Sequence, residues 1–155
     1  MKYPFAAGGG NSTSIRSLPP AARLLRNVLR YHPFLIKPNN FELGELFGAE
    51  IDTAESAAEY AAKLQEMGAV NVLVSMAEKG AVLLDGEGKV HTCGVCSGTV
   101  KNSVGAGDSM LAGFVAGLEN GYDSALRLGT AAGGATTFSE GLASGDFIRE
   151  LYEKL

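Results

Sequence analysis

The chain has 155 residues, enough for one domain with its own core, since single domains commonly run to about 100–200 residues. Hydrophobic residues make up 46% and charged residues 19%, with a formal net charge of −4, a balance that argues against a disordered polyelectrolyte and against nucleic acid as a partner. No apolar run reaches the roughly 18 residues of a membrane span, and no signal-peptide pattern opens the chain, so no membrane partner and a cytoplasmic location are expected.

Residues 1–20 contain Gly8-Gly9-Gly10-Asn11-Ser12-Thr13-Ser14 and end in Pro19-Pro20. Without a strand before them or a periodic helix directly after, these glycines suit a flexible leader better than a phosphate loop. From Ala21, the positions Leu24, Leu25, Val28 and Leu29 form one apolar helix face that ends near Tyr31, before Pro33. Phe34 to Lys37 predicts a short buried strand, and Asn39 to Phe47 a short helix closed by Gly48. Asp52 or Thr53 then caps a helix carrying Ala54, Ala57, Ala58, Ala61, Leu64 and Met67 at three-four spacing, with Gly68 past its end.

Val70 to Met76 is almost continuously apolar, as parallel strands covered on both faces are. Ala81 to Leu84 and Lys89 to Thr92 flank Asp85-Gly86-Glu87-Gly88, a hairpin signal. Gly107 or Asp108 to about Glu119 is apolar nearly all round and predicts a buried helix. Ser124 to Phe138, opened by Asp123 as a cap, predicts another, and Phe147, Ile148, Leu151 and Leu155 mark a terminal helix. This order predicts an α/β layered domain with a mostly parallel sheet and an antiparallel edge hairpin.

Glycine, at 21 of 155 residues, is about twice its usual share. Gly113, Gly117, Gly129, Gly133 and Gly134 fall inside predicted helices, where each costs up to about 1 kcal/mol relative to Ala. Close approach of another helix or of a ligand is the expected compensation. Cys93 and Cys96 form a lone Cys-x-x-Cys, and His32 and His91 are not spaced to complete a zinc site, so ordinary half-buried thiols are expected.

The run Ser103-Val104-Gly105-Ala106-Gly107-Asp108-Ser109-Met110-Leu111-Ala112-Gly113 carries the most chemistry. Small residues at 105–107 let backbone N–H groups converge, and the helix that follows adds the unpaired donors and partial positive charge of its first turn. Such a turn holds an anion. Asp108 beside that anion would repel it, which suits a general base for an attacking hydroxyl better than a binding group. The alternative on these residues alone is an Asp that caps the helix.

The longer string Val104-Gly105-Ala106-Gly107-Asp108-Ser109-Met110 with Ala112-Gly113 resembles the C-terminal signature of the ribokinase-like carbohydrate kinase family, in its phosphofructokinase B branch. Phe34-Leu35-Ile36-Lys37-Pro38-Asn39-Asn40-Phe41-Glu42-Leu43 is similar to the strand end and Asn-x-x-Glu motif of that family. Val72-Leu73-Val74-Ser75-Met76-Ala77-Glu78-Lys79-Gly80-Ala81 resembles its nucleotide-contacting strand and turn. The three strings keep the family's order, from about Leu24 onward. Within the branch, Ser103-Val104, Met110 and Thr137-Phe138-Ser139-Glu140-Gly141 look most like the 1-phosphofructokinase or tagatose-6-phosphate kinase type.

The resemblance implies a ribokinase-like fold, ATP and Mg²⁺ as cofactors, and a nucleotide and a sugar phosphate as ligands. It implies Asp108 as base, the Gly105, Ala106, Gly107 and Asp108 amides as anion hole, and Asn39 and Glu42 as organisers of magnesium through water. For Asn39 and Glu42 the spacing of three equally suits a capping box. Lys37 would neutralise phosphate charge or else snorkel from a strand end. Ser75, Glu78, Lys79 and Gly80 would line ribose and phosphates, or form a plain surface turn. Ala132 and Gly134 would leave flat space for adenine, against helix packing as the alternative. Members of the family are about twice as long, and the segment holding their sugar-phosphate cradle and lid has no counterpart here. Residues 21–155 are therefore expected to be the C-terminal nucleotide-binding half, truncated on its N-terminal side, with doubtful activity alone and with association as a homo-oligomer or through an exposed sheet edge.

Overall fold

The computed structural model describes residues 20–155, so the leader expected over residues 1–20 lies almost wholly outside the described residues. The elements run α1 (Pro20–Leu29), β1 (Leu35–Ile36), α2 (Asn40–Phe47), α3 (Ala54–Glu66), β2 (Asn71–Ser75), a 3-10 turn (Ala77–Lys79), β3 (Ala81–Leu84), β4 (Val90–Cys93), α4 (Ala106–Gly117), α5 (Tyr122–Thr137) and α6 (Gly145–Lys154). The strands form one sheet in the order β1-β2-β3-β4.

The α/β layered class holds, while the balance within the sheet differs from expectation. Only β1 and β2 pair in parallel, extended by a parallel bridge from Asn39 to Ser75, whereas β2–β3 and β3–β4 are antiparallel. The cause is connection length. A parallel neighbour needs a crossover of a dozen or more residues, and a tight turn through Ala77–Lys79 reverses the chain between β2 and β3. The apolar run of β2 reports burial on both faces, and the strand pairs in parallel with β1 and antiparallel with β3. Val72 and Val74 join Val82, Leu84, Leu29, Leu43 and Leu64 on the α1–α3 side, while Leu73 joins Leu83, Met110, Phe114 and Leu126 on the α4–α5 side. A smaller core seats α6 through Leu151 against Cys96, Ala131 and Ala135.

Local chemistry sets the helix ends. Thr53, not Asp52, caps α3, in a reciprocal box with Ser56. Gly48 closes α2 at φ 65°, a left-handed conformation that glycine adopts without steric cost. Asp123 does not cap α5. Gly121 holds the cap position, and Asp123 sits in the first turn with its carboxylate on the His91 ring. The expectation of a fully buried α4 also fails on one side: Met110 and Phe114 are buried, yet Leu111 is 38% and Val115 55% exposed.

The helical glycines have their compensation in a seam between α4 and α5. A Cβ on Gly113 would stand 2.7 Å from the Leu128 carbonyl oxygen, and one on Gly129 would stand 2.7 Å from that of Met110. Buried Asn71 ties β1 to the hairpin, donating to the Phe34 carbonyl at 2.8 Å and accepting from the Gly86 amide at 2.9 Å.

Candidate active site

The end of β1 and the end of β2 lie together. The Ser75 amide donates to the Pro38 carbonyl at 3.2 Å and Asn39 bridges to Ser75, so Lys37, Asn39 and Ser75 share one rim of the sheet. Lys37 reaches across this rim to α4: a Cβ placed on Gly107 would meet its Nζ at 3.1 Å. Two strand ends and the glycine loop thus converge where α/β sheets place ligands.

At the loop itself, Gly105 takes the cap position of α4 at φ 82° with no side chain capping the helix. The Ala106 amide donates to the Ser103 carbonyl at 3.2 Å, whereas the amides of Gly107 and Asp108 find no acceptor among the described residues. Two donors and an ammonium group are what an anion needs, and a 12-residue helix without a side-chain cap adds its dipole. Asp108 is the third residue of α4, exposed, and its carboxylate makes no hydrogen bond among the described residues. It follows directly on the two unpartnered amides.

Asn39 and Glu42 form the capping box that their spacing allowed: Asn39 Oδ1 accepts from the Glu42 amide at 2.8 Å, and Glu42 Oε2 accepts from the Asn39 amide at 2.9 Å. Each side chain therefore has one oxygen engaged, and Glu42 Oε1 remains for a water. Among the described residues no group of three or more His, Cys, Asp or Glu could hold a metal ion directly. A magnesium ion fits here only as a hydrated ion, which is how it commonly binds.

Other expected site residues lie elsewhere. Glu78 and Lys79 are exposed on the 3-10 turn, Lys79 Nζ donates to the Asp52 carbonyl at 2.7 Å, and both line a cleft of about 690 Å³ with Phe41, Ile51 and Met76. That cleft includes neither Lys37 nor the Gly105–Asp108 loop. Gly80 has a backbone reason for its identity, with φ 87° and a Cβ position 2.1 Å from the Cys93 carbonyl oxygen. Ala132 is buried with its Cβ against Gly113, and Gly134 abuts Cys96, so both serve helix packing.

Sequence reasoning missed two features. Ala77 adopts φ 51°, a left-handed conformation rare outside glycine, at the turn after Ser75. His91 is buried between two carboxylates, with Nε2 2.8 Å from Asp85 Oδ2 and Nδ1 2.7 Å from Asp123 Oδ1. Burial alone would push the His91 ring to a lower pKa, but the bonds to Asp85 and Asp123 outweigh it and the net shift is upward. Burial raises Asp85 in turn, and His91 with the Lys89 and Glu87 amides brings it below the usual carboxylate range. No motif signals this trio, because its members are 32 residues apart at the widest bond. Burial pushes the Cys96 thiol up to about 11 and raises Cys93, the pattern of inert thiols.

The sequence pattern of the pfkB family carbohydrate kinases matches residues 9–147. The 1-phosphofructokinase of Bacillus subtilis is 49% identical over 121 residues, which cover 77% of this chain and 40% of that protein. The D-tagatose-1-phosphate kinase of Bacillus licheniformis is 40% identical over 122 residues, again 77% of this chain and 40% of the relative. Phosphofructokinase-2 from Escherichia coli superposes at a TM-score of 0.77 with 30% identity, over 86% of this chain and 45% of that one. The chain thus spans about 40% of the length of these curated relatives. With the strand-end lysine, the glycine loop and the exposed aspartate in one crevice, the chain belongs to the pfkB family carbohydrate kinases.

Proposed function

We propose that residues 21–155 carry the nucleotide-binding and phosphoryl-transferring part of an ATP-dependent sugar-phosphate kinase whose acceptor is a hydroxyl of a phosphorylated ketohexose. One observation carries the reading: the Lys37 ammonium lies against Gly107, whose amide and that of the exposed Asp108 have no acceptor among the described residues. The amides of Gly107 and Asp108 cradle the oxygens of the transferring phosphoryl group, with Gly105 and Ala106 shaping the turn. Lys37 adds a point charge to that group. Asp108 accepts the proton of the attacking hydroxyl. Asn39 and Glu42 hold magnesium through water, and the ion when bound offsets charge on the phosphates. Ser75 faces the phosphates from the neighbouring strand end.

The names of the Bacillus relatives support a ketohexose 1-phosphate as acceptor, and the tagatose relative is named for the 1-phosphate, where the sequence suggested the 6-phosphate. The test is coupled ADP release with fructose 1-phosphate, fructose 6-phosphate, tagatose 1-phosphate and tagatose 6-phosphate. Asp108→Asn is expected to lower kcat about 10²- to 10⁴-fold while leaving stabilisation by Mg-ATP intact. Turnover unaffected by this substitution would refute the base assignment. The span of about 40% favours a second reading, a nucleotide-binding part without turnover of its own. It predicts a thermal shift with Mg-ATP and no sugar-dependent ADP release.

A further inference from the structure

Attachments from the last turns of α5 flank the glycine loop on both sides. The Thr137 carbonyl accepts from the Lys101 and Asn102 amides at 2.9 and 3.1 Å, fixing the chain just before the loop, and Asn102 Oδ1 accepts from the Val104 amide at 3.0 Å. After the loop, the backbone of Gly133 lies against the first turn of α4, since a Cβ there would stand 3.1 Å from the Ala106 carbonyl oxygen. A side chain completes the set. Thr136 Oγ1 donates to Ser109 Oγ at 2.8 Å.

A threonine within a helix commonly bonds back to the carbonyl four residues earlier, as Thr130 does to Leu126 at 2.8 Å and Thr137 to Gly133 at 2.9 Å. Thr136 crosses to the neighbouring helix instead. It does so with 2% of its surface exposed, where water poorly replaces a lost partner. Ser109, its acceptor, directly follows Asp108, and the Ser109 amide donates to the Gly105 carbonyl at 2.9 Å, closing the turn that contains the unpartnered Gly107 and Asp108 amides. A hold on Ser109 therefore sets the position of those two donors.

We infer that Thr136 is a positioning residue for phosphoryl transfer, its hydroxyl holding Ser109 so that the Gly107 and Asp108 amides are fixed before a phosphoryl group arrives; this rests on the function proposed above for those amides. Donors set in advance stabilise developing charge without reorganising, and a misplacement of about 1 Å can cost about 10²-fold. The effect falls on the terminal phosphoryl group. It therefore separates ATP from ADP, which a general loss of packing does not.

The test measures Kd for Mg-ATP and for Mg-ADP, with Tm in the absence of nucleotide. Thr136→Val keeps the shape of the side chain and removes the donor. Ser109→Ala removes the acceptor and leaves Thr136 free to bond back to the Ala132 carbonyl, as Thr130 and Thr137 bond back within α5, which protects the fold. Each is expected to weaken Mg-ATP binding about tenfold and Mg-ADP binding by less than about twofold, with Thr136→Ser keeping the wild-type ratio. Thr130→Val, at a buried threonine whose hydroxyl stays on its own helix, should lower Tm and leave the ratio of the two affinities unchanged. A wild-type ratio in Ser109→Ala would overturn the inference, as would an equal fall of the ratio in Thr130→Val. Lys37→Met distinguishes this from failure of the proposed function. A ratio lowered by Lys37→Met and untouched by Ser109→Ala sinks the inference alone, whereas a ratio untouched by both, or a wild type that binds neither nucleotide, sinks the two together.

Discussion

At the scale of single residues, the crevice turns on Gly107. Its place in the first turn of α4 needs no unusual backbone angle, since the left-handed conformation falls on Gly105 instead. Alanine is the better helix former there by up to about 1 kcal/mol. Among the described residues, the only atoms an added methyl group would meet within 4 Å are Nζ and Cε of Lys37, at 3.1 and 3.6 Å, the far end of a flexible side chain. Gly107→Ala should therefore leave Tm unchanged or slightly raised. It should also push the ammonium away from the Gly107 and Asp108 amides and weaken Mg-ATP binding by about tenfold, or about 1.4 kcal/mol. Thermal-shift titration of the variant beside Lys37→Met measures both effects. An affinity equal to wild type would remove Lys37 from the proposed anion site. The loop was legible in the sequence because its donors and its carboxylate are neighbours along the chain. The contribution of Lys37 was legible only as a choice between two roles, because the contact that decides its direction spans 70 positions.

Elements were read well where their signals are local. The caps of α2 and α3, the hairpin through Asp85–Gly88 and the strand cores follow from a few adjacent residues. The parallel share of the sheet and the burial of α4 were overestimated, because hydrophobicity reports how many faces are covered and says nothing of strand direction or of what does the covering. The α4–α5 seam illustrates the other limit: its glycines announced a close approach without naming the partner. Contact at this seam is backbone to backbone, so a methyl group has nowhere to go. Gly129→Ala, whose Cβ would stand 2.7 Å from the Met110 carbonyl oxygen, should destabilise by about 2 kcal/mol through overpacking. Gly141→Ala, with no described residue within 4 Å, should be neutral. Urea midpoints of the two variants provide the comparison, and equal midpoints would mean that the helices separate freely.

At the scale of the whole molecule, the His91 trio is a polar link across the layers that responds to pH. It joins β4 to the hairpin turn through Asp85 and to the first turn of α5 through Asp123. Tyr122 packs its ring 5.8 Å from that of His91, and the Lys89 charge opposes protonation of the ring. With both ring nitrogens facing carboxylates, the imidazolium form satisfies both bonds, in keeping with the raised pKa. A group raised above its unfolded value of 6.5 contributes stability that is complete below that pH and fades as pH climbs through the folded value. Asp85 and Asp123, both lowered from 3.8, contribute stability that is present above that pH and is lost as pH falls through their folded values. Tm should therefore be highest between about pH 4 and pH 6.5 and decline on the alkaline side as His91 loses its proton. His91→Gln should lower stability by about 2 kcal/mol at pH 6, the scale of a hydrogen bond to a charged group, and by less at pH 9, flattening the alkaline decline. Tm measured from pH 4 to pH 9 for both proteins tests this. Parallel curves would show that the decline arises elsewhere and that the layers do not depend on the charge of this ring.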